Sequence, residues 1–511
     1  MNLLWAIVLT PLVGCFAAGL LRNARAILAV CVASSVAELA LVLAALPAAV
    51  AGRITGAWGQ LAIDALSAYH LALVVAIFAL SSVYAWSYFS AEAHSGKFDV
   101  STARRFGASW CAFLGSMVVV LVANNVGIMW VAMEATTLTS ALLVCLSFER
   151  AAIRAAWNYL MICSVGIALG LLGTFLLCGA ARAVEGSGAS PLLWTELSRV
   201  APHLAPRPVK LAFVFLVVGY GTKAGLAPMH TWLPDAHSQA PTPVSAVLSG
   251  VLLNCALYCV SRFLPIAEAA TGHQGWALGL MVVLGLASIV VAAAFIVVEH
   301  DVKRLLAYHS VEHMGIIALA FGLGGAAPAL YHTLNHSVCK MLTFFCAGGL
   351  VQRYGTRDMR LMRGILVAVP LAGFGIVLGI LALIGAPGFS IFMSELWILK
   401  VGIERHQYAA VAVFVLGAAV VFVAALNHAL DMVGKRAAQR GTDPAAGGPR
   451  GDELSRQPVD EPRPGDPSLR VVRWPLVVVP LVILLVTGVW MPGPLADILE
   501  AAAAVVRGAA P

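Results

Sequence analysis

Four ionisable side chains, Glu134, Lys223, Lys340 and Glu395, stand inside stretches whose apolarity otherwise suits the interior of a bilayer. A charge near the bilayer centre costs at least about 2.5 to 3.5 kcal/mol, so such residues have partners, water or a task. The segment YHTLNHSVCKMLTFF places His332 and His336 ahead of Lys340, at i, i+4 and i+8. On a helix each step of four turns by about 40° and rises about 6 Å, so the three groups lie on one slowly drifting stripe. Groups so spaced suit a proton relay completed by water. Two histidines at i, i+4 also suit a metal, but no nearby carboxylate or cysteine completes a site, and no metal is expected.

Lys223 and Glu134 suit a switch. At an effective dielectric of about 20, separating such a pair from roughly 4 to 10 Å changes its interaction by about 2.5 kcal/mol. Moving one charge against 100 mV takes about 2.3 kcal/mol, so one such swing is comparable to the electrical work of moving a proton. A static ion pair between helices is the plainer alternative for these two alone.

His230, Asp235 and His237 fall in HTWLPDAHSQAPTPVS, which carries three prolines. The expectation is a rigid turn whose polar ends form a cytoplasmic proton mouth, with no acid–base catalysis assigned. No G-x-G-x-x-G or P-loop places a nucleotide.

The elements that position these groups are membrane helices. In 511 residues, 60% are apolar, 11% are charged and the mean hydropathy is +0.90, against roughly 25% charged residues in soluble domains. Apolar runs of the roughly 20 residues needed to cross hydrocarbon recur from end to end. They predict an all-α integral membrane protein of about 14 spans. The spans run over 3–21, 26–50, 62–88, 109–123, 126–148, 152–180, 208–230, 240–265, 275–299, 304–325, 328–352, 364–402, 407–433 and 472–492. Met1 to Trp5 carries no Lys or Arg, so the first run reads as a span and not a signal peptide. With the N-terminus outside, most of the 32 Lys and Arg fall on the cytoplasmic side, among them Arg104, Arg105, Lys303, Arg304, Arg357 and Arg360. The positive-inside rule therefore puts both termini outside. It also accounts for the net charge of +7 without a nucleic-acid partner. All ten cysteines fall in these spans with no Cys-x-x-Cys pair, and read as small buried hydrophobes.

Residues 435–471, rich in Pro, Gly and charge, read as a flexible cytoplasmic linker. Span seven carries Gly219, Gly221, Gly225 and Pro228 around Lys223, and span twelve carries Gly385, Ala386, Pro387 and Gly388 just before Glu395. Paired interruptions of this kind point to inverted repeats and an ion site. Being five spans apart, they predict two inverted five-helix repeats with discontinuous helices seven and twelve. Glu134 in span five and Glu312 in span ten are a second correspondence. The divisions are 1–90 (helices 1–3), 108–265 (first repeat), 272–434 (second repeat), the linker, and 472–511 (a last helix and short tail).

KAGLAPMHTWLPDAHSQAPTPVSAVLSGVLLN from Lys223, DVKRLLAYHSVEHMG from Asp301, YHTLNHSVCKMLTFFCAGGL from Tyr331 and GAPGFSIFMSELWILK from Gly385 resemble the antiporter-like membrane subunits of respiratory complex I and its relatives. NYLMICSVGIALGLLGTFLL from Asn158 and SVEHMG resemble the hydrogenase-4 component F branch in particular. The resemblance implies a membrane-embedded proton path through Glu134, Lys223, Lys340 and Glu395, with His332 and His336 ahead of the central lysine. Some relatives carry a span-eight histidine where this chain has Ser249, so the link between spans seven and eleven would use Ser249, Asn254 or water. The long lateral helix of one branch is not expected, since only about 20 residues follow span fourteen.

What the resemblance further implies is a proton-translocating subunit of a complex I-like assembly of the membrane-bound hydrogenase or formate hydrogenlyase type, in a bacterial inner membrane. Cofactors are expected in partners and none in this chain: iron–sulfur clusters and nickel–iron chemistry in hydrophilic subunits, beside further antiporter-like membrane subunits. The rival expectations are a cation/proton antiporter subunit, sodium included, and a membrane subunit energising inorganic-carbon uptake.

Overall fold

The computed structural model describes residues 2–94, 96, 98–184, 190–434 and 471–508. Apart from Val471, the expected linker lies outside the described residues. The first helices are α1 (Asn2–Leu20) and α2 (Ala24–Ala51). A hairpin of β1 (Ile54–Gly56) and β2 (Leu61–Ile63) follows, antiparallel with Thr55 opposite Ala62. Next come α3 (Ala65–His94), α4 (Val100–Val122), α5 (Val126–Val144), α6 (Arg150–Arg182) and the short α7 (Trp194–Val200). Then α8 (Pro206–Ala224), α9 (Trp232–Gln239), α10 (Thr242–Val247) and α11 (Leu253–Ala270) lead to α12 (Trp276–Val298), α13 (Val302–Gly322) and α14 (Ala326–Tyr354). The remainder is α15 (Ile365–Ala368), α16 (Pro370–Leu383), α17 (Ser390–Glu404), α18 (Tyr408–Val433), α19 (Trp474–Val489) and α20 (Gly493–Val506).

Among the described residues, ten helices are long and apolar enough to cross a membrane: α1 to α6, the continuous Thr242–Ala270 helix, α12, α13 and α18. The chain is a multi-pass integral membrane protein. The expected spans seven, eleven and twelve fall short of that measure for a shared reason, since they carry the polar groups and the breaks. Lys223 and Gly225 close α8, while His332, Asn335, His336 and Lys340 lower the apolarity of α14. Gly385 and Gly388 separate α16 from α17. Such a polar helix cannot face lipid, and α14 is buried over most of its length between α13, α16, α17 and α19.

Three boundaries differ from expectation. Helix α4 begins at Val100, not 109, because Asp99 caps it through Thr102 N–H at 2.8 Å and Arg104 Nε reaches the Leu21 carbonyl at 2.6 Å. Charged residues therefore extend this helix beyond its apolar stretch. The last expected span is two helices, α19 and α20, bent by 80°. In place of a short tail stands the helix α20, which packs on α3 and α14.

Small residues let helices approach closely, as membrane packing without a strong hydrophobic drive requires. A methyl group on Gly219 of α8 would lie 2.6 Å from Gly170 Cα of α6, and one on Gly285 of α12 2.6 Å from Leu319 N of α13. The two breaks have the same closure. Gly225 and Gly385 both adopt positive φ, 75° and 67°, and in each case the next residue returns its N–H five residues back, Leu226 to Gly221 O and Ala386 to Leu381 O.

Candidate functional site

The first group of polar residues gathers where α8 ends. Lys223 sits in its last turn and is fully buried, at the negative end of the helix dipole, where a cation is favoured. Its Nζ donates to Thr137 Oγ1 at 3.0 Å and to Tyr159 OH at 2.5 Å. Tyr159 OH lies 2.6 Å from Ser140 Oγ. Glu134, on α5, accepts from Ser164 Oγ at 2.6 Å and from Thr137 Oγ1 at 3.4 Å. The expected closeness of Glu134 and Lys223 is therefore mediated: one threonine hydroxyl stands between them, because residues 134 and 137 are one helical turn apart and both face α8.

The second group joins α13, α14 and α17. The stripe predicted on α14 forms, but its members bond to different neighbours. His332 Nε2 lies 2.9 Å from His313 Nδ1, and His332 Nδ1 lies 2.9 Å from Ser394 Oγ. His336 Nε2 meets the Ser249 carbonyl at 3.2 Å, and Lys340 Nζ donates to the Leu306 carbonyl at 2.6 Å. Glu312 Oε2 lies 2.9 Å from His309 Nδ1. Single ligand atoms of His313, His332 and Glu395 lie within 4.8 Å of one another, as do those of His309, Glu312 and His313. Contrary to expectation, then, carboxylates do approach the α14 histidines, supplied by α13 and α17. Cys339, three residues beyond His336, turns its thiol to the Gly379 carbonyl at 3.3 Å.

Glu395 is half-buried and its carboxylate presses on the break in the chain. A Cβ on Gly385 would collide with Glu395 Oε2, so the glycine makes room for the acid.

Ser249 lies in a π-helical turn, Leu248–Leu252, between α10 and α11. Such turns leave carbonyls without their usual α-helical donors. Here the carbonyls of Ser249 and Gly250 take donors from α14, His336 and Ser337, the latter at 2.6 Å. Ser249 Oγ lies 2.7 Å from Ser310 Oγ, which donates to the same Leu306 carbonyl that holds Lys340. Asn254 Nδ2 donates to Ser337 Oγ at 2.7 Å. A serine thus links the two segments through its backbone and hydroxyl, with no ring nitrogen of its own.

The proline-rich segment does not form a turn with converging polar ends. Residues 232–239 form α9, and its groups diverge. Asp235 pairs with Arg304 at 2.5 Å on the surface, His237 is buried against Phe344 with ring centroids 5.4 Å apart, and His230 faces Phe295 and Tyr308. The polar opening on this side is a cavity of about 1020 Å³ whose lining includes Arg105, Asp301, Lys303, Arg357 and Asp358. Lys303 is buried there with its ammonium on the carbonyl of Ala240 at 2.5 Å.

Sequence reasoning missed His309 and His313, although they repeat the i, i+4 spacing that singled out His332 and His336. It also missed Tyr159, whose hydroxyl carries no periodic signal, and two buried charges. Glu38 on α2 is 0% exposed with no hydrogen bond to either oxygen among the described residues. Arg262 on α11 makes a two-pronged pair with Asp64, Nη1 and Nη2 at 2.5 and 2.6 Å from its oxygens.

The family model described as NADH:quinone oxidoreductase/Mrp antiporter, TM, matches residues 123–421. The chain is 39% identical over 351 residues to the hydrogenase-4 component F homolog of Methylacidiphilum infernorum, covering 68% of this chain and 74% of that one. It is 29% identical over 387 residues to hydrogenase-4 component B of Escherichia coli, covering 73% of this chain and 55% of the other, so it spans about half the length of that relative. A chain in the structure of the membrane-bound sulfane sulfur reductase, an archaeal respiratory membrane complex, has the same fold. Its TM-score is 0.82 at 19% identity, over 99% of this chain and 98% of that chain. These relatives are subunits of multi-subunit membrane complexes, and the chain is an antiporter-like membrane subunit that belongs to the NADH:quinone oxidoreductase/Mrp antiporter family.

Proposed function

We propose that the chain translocates protons within a complex I-like respiratory assembly of the membrane-bound hydrogenase or formate hydrogenlyase type. The observation that carries this reading is the row of buried titratable groups on helices that otherwise suit lipid: Lys223 with Glu134 through Thr137, then His309, His313, His332 and His336 between Lys340 and Glu395. Buried ionisable residues in a membrane bundle mark ion pathways. Electron transfer in partner subunits would move charge or loops at the interface, changing the field at Lys223, with iron–sulfur and nickel–iron centres held by those partners. The bond from His336 to the Ser249 carbonyl, and the Ser249–Ser310 contact, support a link between the two halves.

The same reading takes the protein as about 14 spans in a bacterial inner membrane, both termini outside, with two inverted repeats over 108–265 and 272–434. The matching closures at Gly225 and Gly385 support the repeats. His230, Asp235 and His237 drop out of a shared mouth, and the cavity beside Lys303 takes that place.

The test is Lys223→Met and Glu134→Gln in the assembled complex, with proton movement and electron transfer measured separately. Both variants should lose proton translocation while partner redox chemistry persists. Pumping at normal stoichiometry in both variants refutes the path. A second reading, cation/proton exchange, is favoured by the family's membership of Mrp antiporters. Sodium-dependent transport in vesicles selects it over the first.

A further inference from the structure

The imidazole cluster has a property that a proton path does not require. Its hydrogen bonds assign the ring protons. Ser394 Oγ donates to the Ile391 carbonyl at 2.8 Å, so it accepts from His332 Nδ1. His332 Nε2 then carries a lone pair, to which His313 Nδ1 donates. This leaves the lone pair of His313 Nε2 buried without a partner. His309 Nε2 and His336 Nδ1 are likewise buried and unpartnered among the described residues. Buried acceptors facing no donor are costly. A cation answers them.

From this geometry we propose that His313, His332 and Glu395 form a binding site for a divalent transition-metal ion of the zinc class. Ligand atoms of the three already lie within 4.8 Å of one another and come from three helices. Neutral imidazole suits zinc, copper or nickel, whereas sodium, magnesium and calcium favour all-oxygen sites. The Glu312 and Glu395 carboxylates offset the dication in a dry interior, against the one ammonium of Lys340. The His332 ring is held by Ser394, the kind of outer contact that orients metal-bound imidazoles.

Occupancy needs little movement. Ligand atoms of tetrahedral zinc at bonds of about 2.0–2.1 Å stand about 3.3 Å apart, so the 2.9 Å gap between His313 and His332 opens by a few tenths of an ångström. The proton displaced from His313 Nδ1 has the free Nε2 of the same ring to occupy, so the ring stays neutral. Glu395 is half-buried beside exposed Pro387 and Gly388, which gives the ion a way in.

The test is equilibrium dialysis of the full chain in nanodiscs against Zn²⁺, with Co²⁺ absorption as a readout of ligand type. It does not depend on transport, so its outcome is separate from that of the proton path. One Zn²⁺ per chain is expected, with the d–d bands of a nitrogen and oxygen site for Co²⁺. His332→Gln and Glu395→Gln should each weaken binding by about 100-fold, while His203→Gln, on the exposed surface, leaves it unchanged. Absence of saturable binding by the unaltered chain overturns the site. So does unchanged affinity in Glu395→Gln, the variant nearest the surface, should His332→Gln fail to fold.

Discussion

Glu134 and Lys223 meet on one hydroxyl: Thr137 Oγ1 lies 3.4 Å from Glu134 Oε2 and 3.0 Å from Lys223 Nζ. The carboxylate and the ammonium thus act on each other through a group that can accept and donate at once, and a small shift of α5 against α8 alters both contacts together. Thr137→Val keeps the volume and removes this relay. Hydrogen bonds to charged groups contribute about 1.5–3 kcal/mol, so proton translocation by the assembled complex in proteoliposomes should fall at least about tenfold, with assembly intact.

Gly385 holds the second break open. Its φ of 67° and the collision of a would-be Cβ with Glu395 Oε2 leave no room for a side chain. Gly385→Ala should cost about 1–2 kcal/mol from the backbone alone and displace Glu395 as well. Thermal unfolding of the variant should occur at lower temperature, and its Zn²⁺ affinity should fall with the movement of the acid.

Asp64 and Arg262 clamp the start of α3 to α11, both nearly buried, with Arg262 also over the rings of Trp194 and Tyr258. Removing one partner of a buried pair leaves an uncompensated charge and costs about 3–5 kcal/mol. Asp64→Asn should therefore lower the unfolding midpoint more than Arg360→Ala, which breaks an exposed pair with Asp358.

Glu38 has the opposite expectation. With both oxygens buried and unpartnered among the described residues, replacing it by the similarly long, apolar Met removes a polar group that costs about 1–3 kcal/mol when unsatisfied. Glu38→Met should raise the unfolding temperature. A lower one would mean that the carboxyl has a partner in the assembled complex.

In the loop after α14, the Arg360 guanidinium and its N–H hold the Asp358 carboxyl below its usual range. An acid held down in the folded state contributes stability above its unfolded value, and loses it as pH falls through the folded one. Hydrogen exchange at the Arg360 N–H should stay slow from neutral pH down to about 4, the ordinary aspartate range, and quicken below it. Asp358→Asn should abolish that dependence.

Much of the site was legible because hydrocarbon makes each charge conspicuous. Lys223, Lys340, Glu134 and Glu395 stood out on apolar helices, and the glycines at 225 and 385 announced the breaks that the structure closes in the same way. His309 and His313 were equally visible by spacing, yet their meaning depended on facing His332 and His336, a relation between helices that no single-helix period contains. Asp235 and His237 were neighbours in sequence but diverge, since two residues along a helix point about 160° apart.

The sequence by itself determined that this is a many-helix membrane protein with ionisable groups at two broken segments, because burial in lipid constrains composition and length segment by segment. Only the tertiary structure decided the partners. Thr137 came between Glu134 and Lys223, the π turn at Ser249 turned its carbonyl to His336, and carboxylates from α13 and α17 closed on the α14 histidines. Contacts across helices depend on how each helix is rotated and how deeply it sits, and small-residue packing sets both only when the whole bundle is assembled.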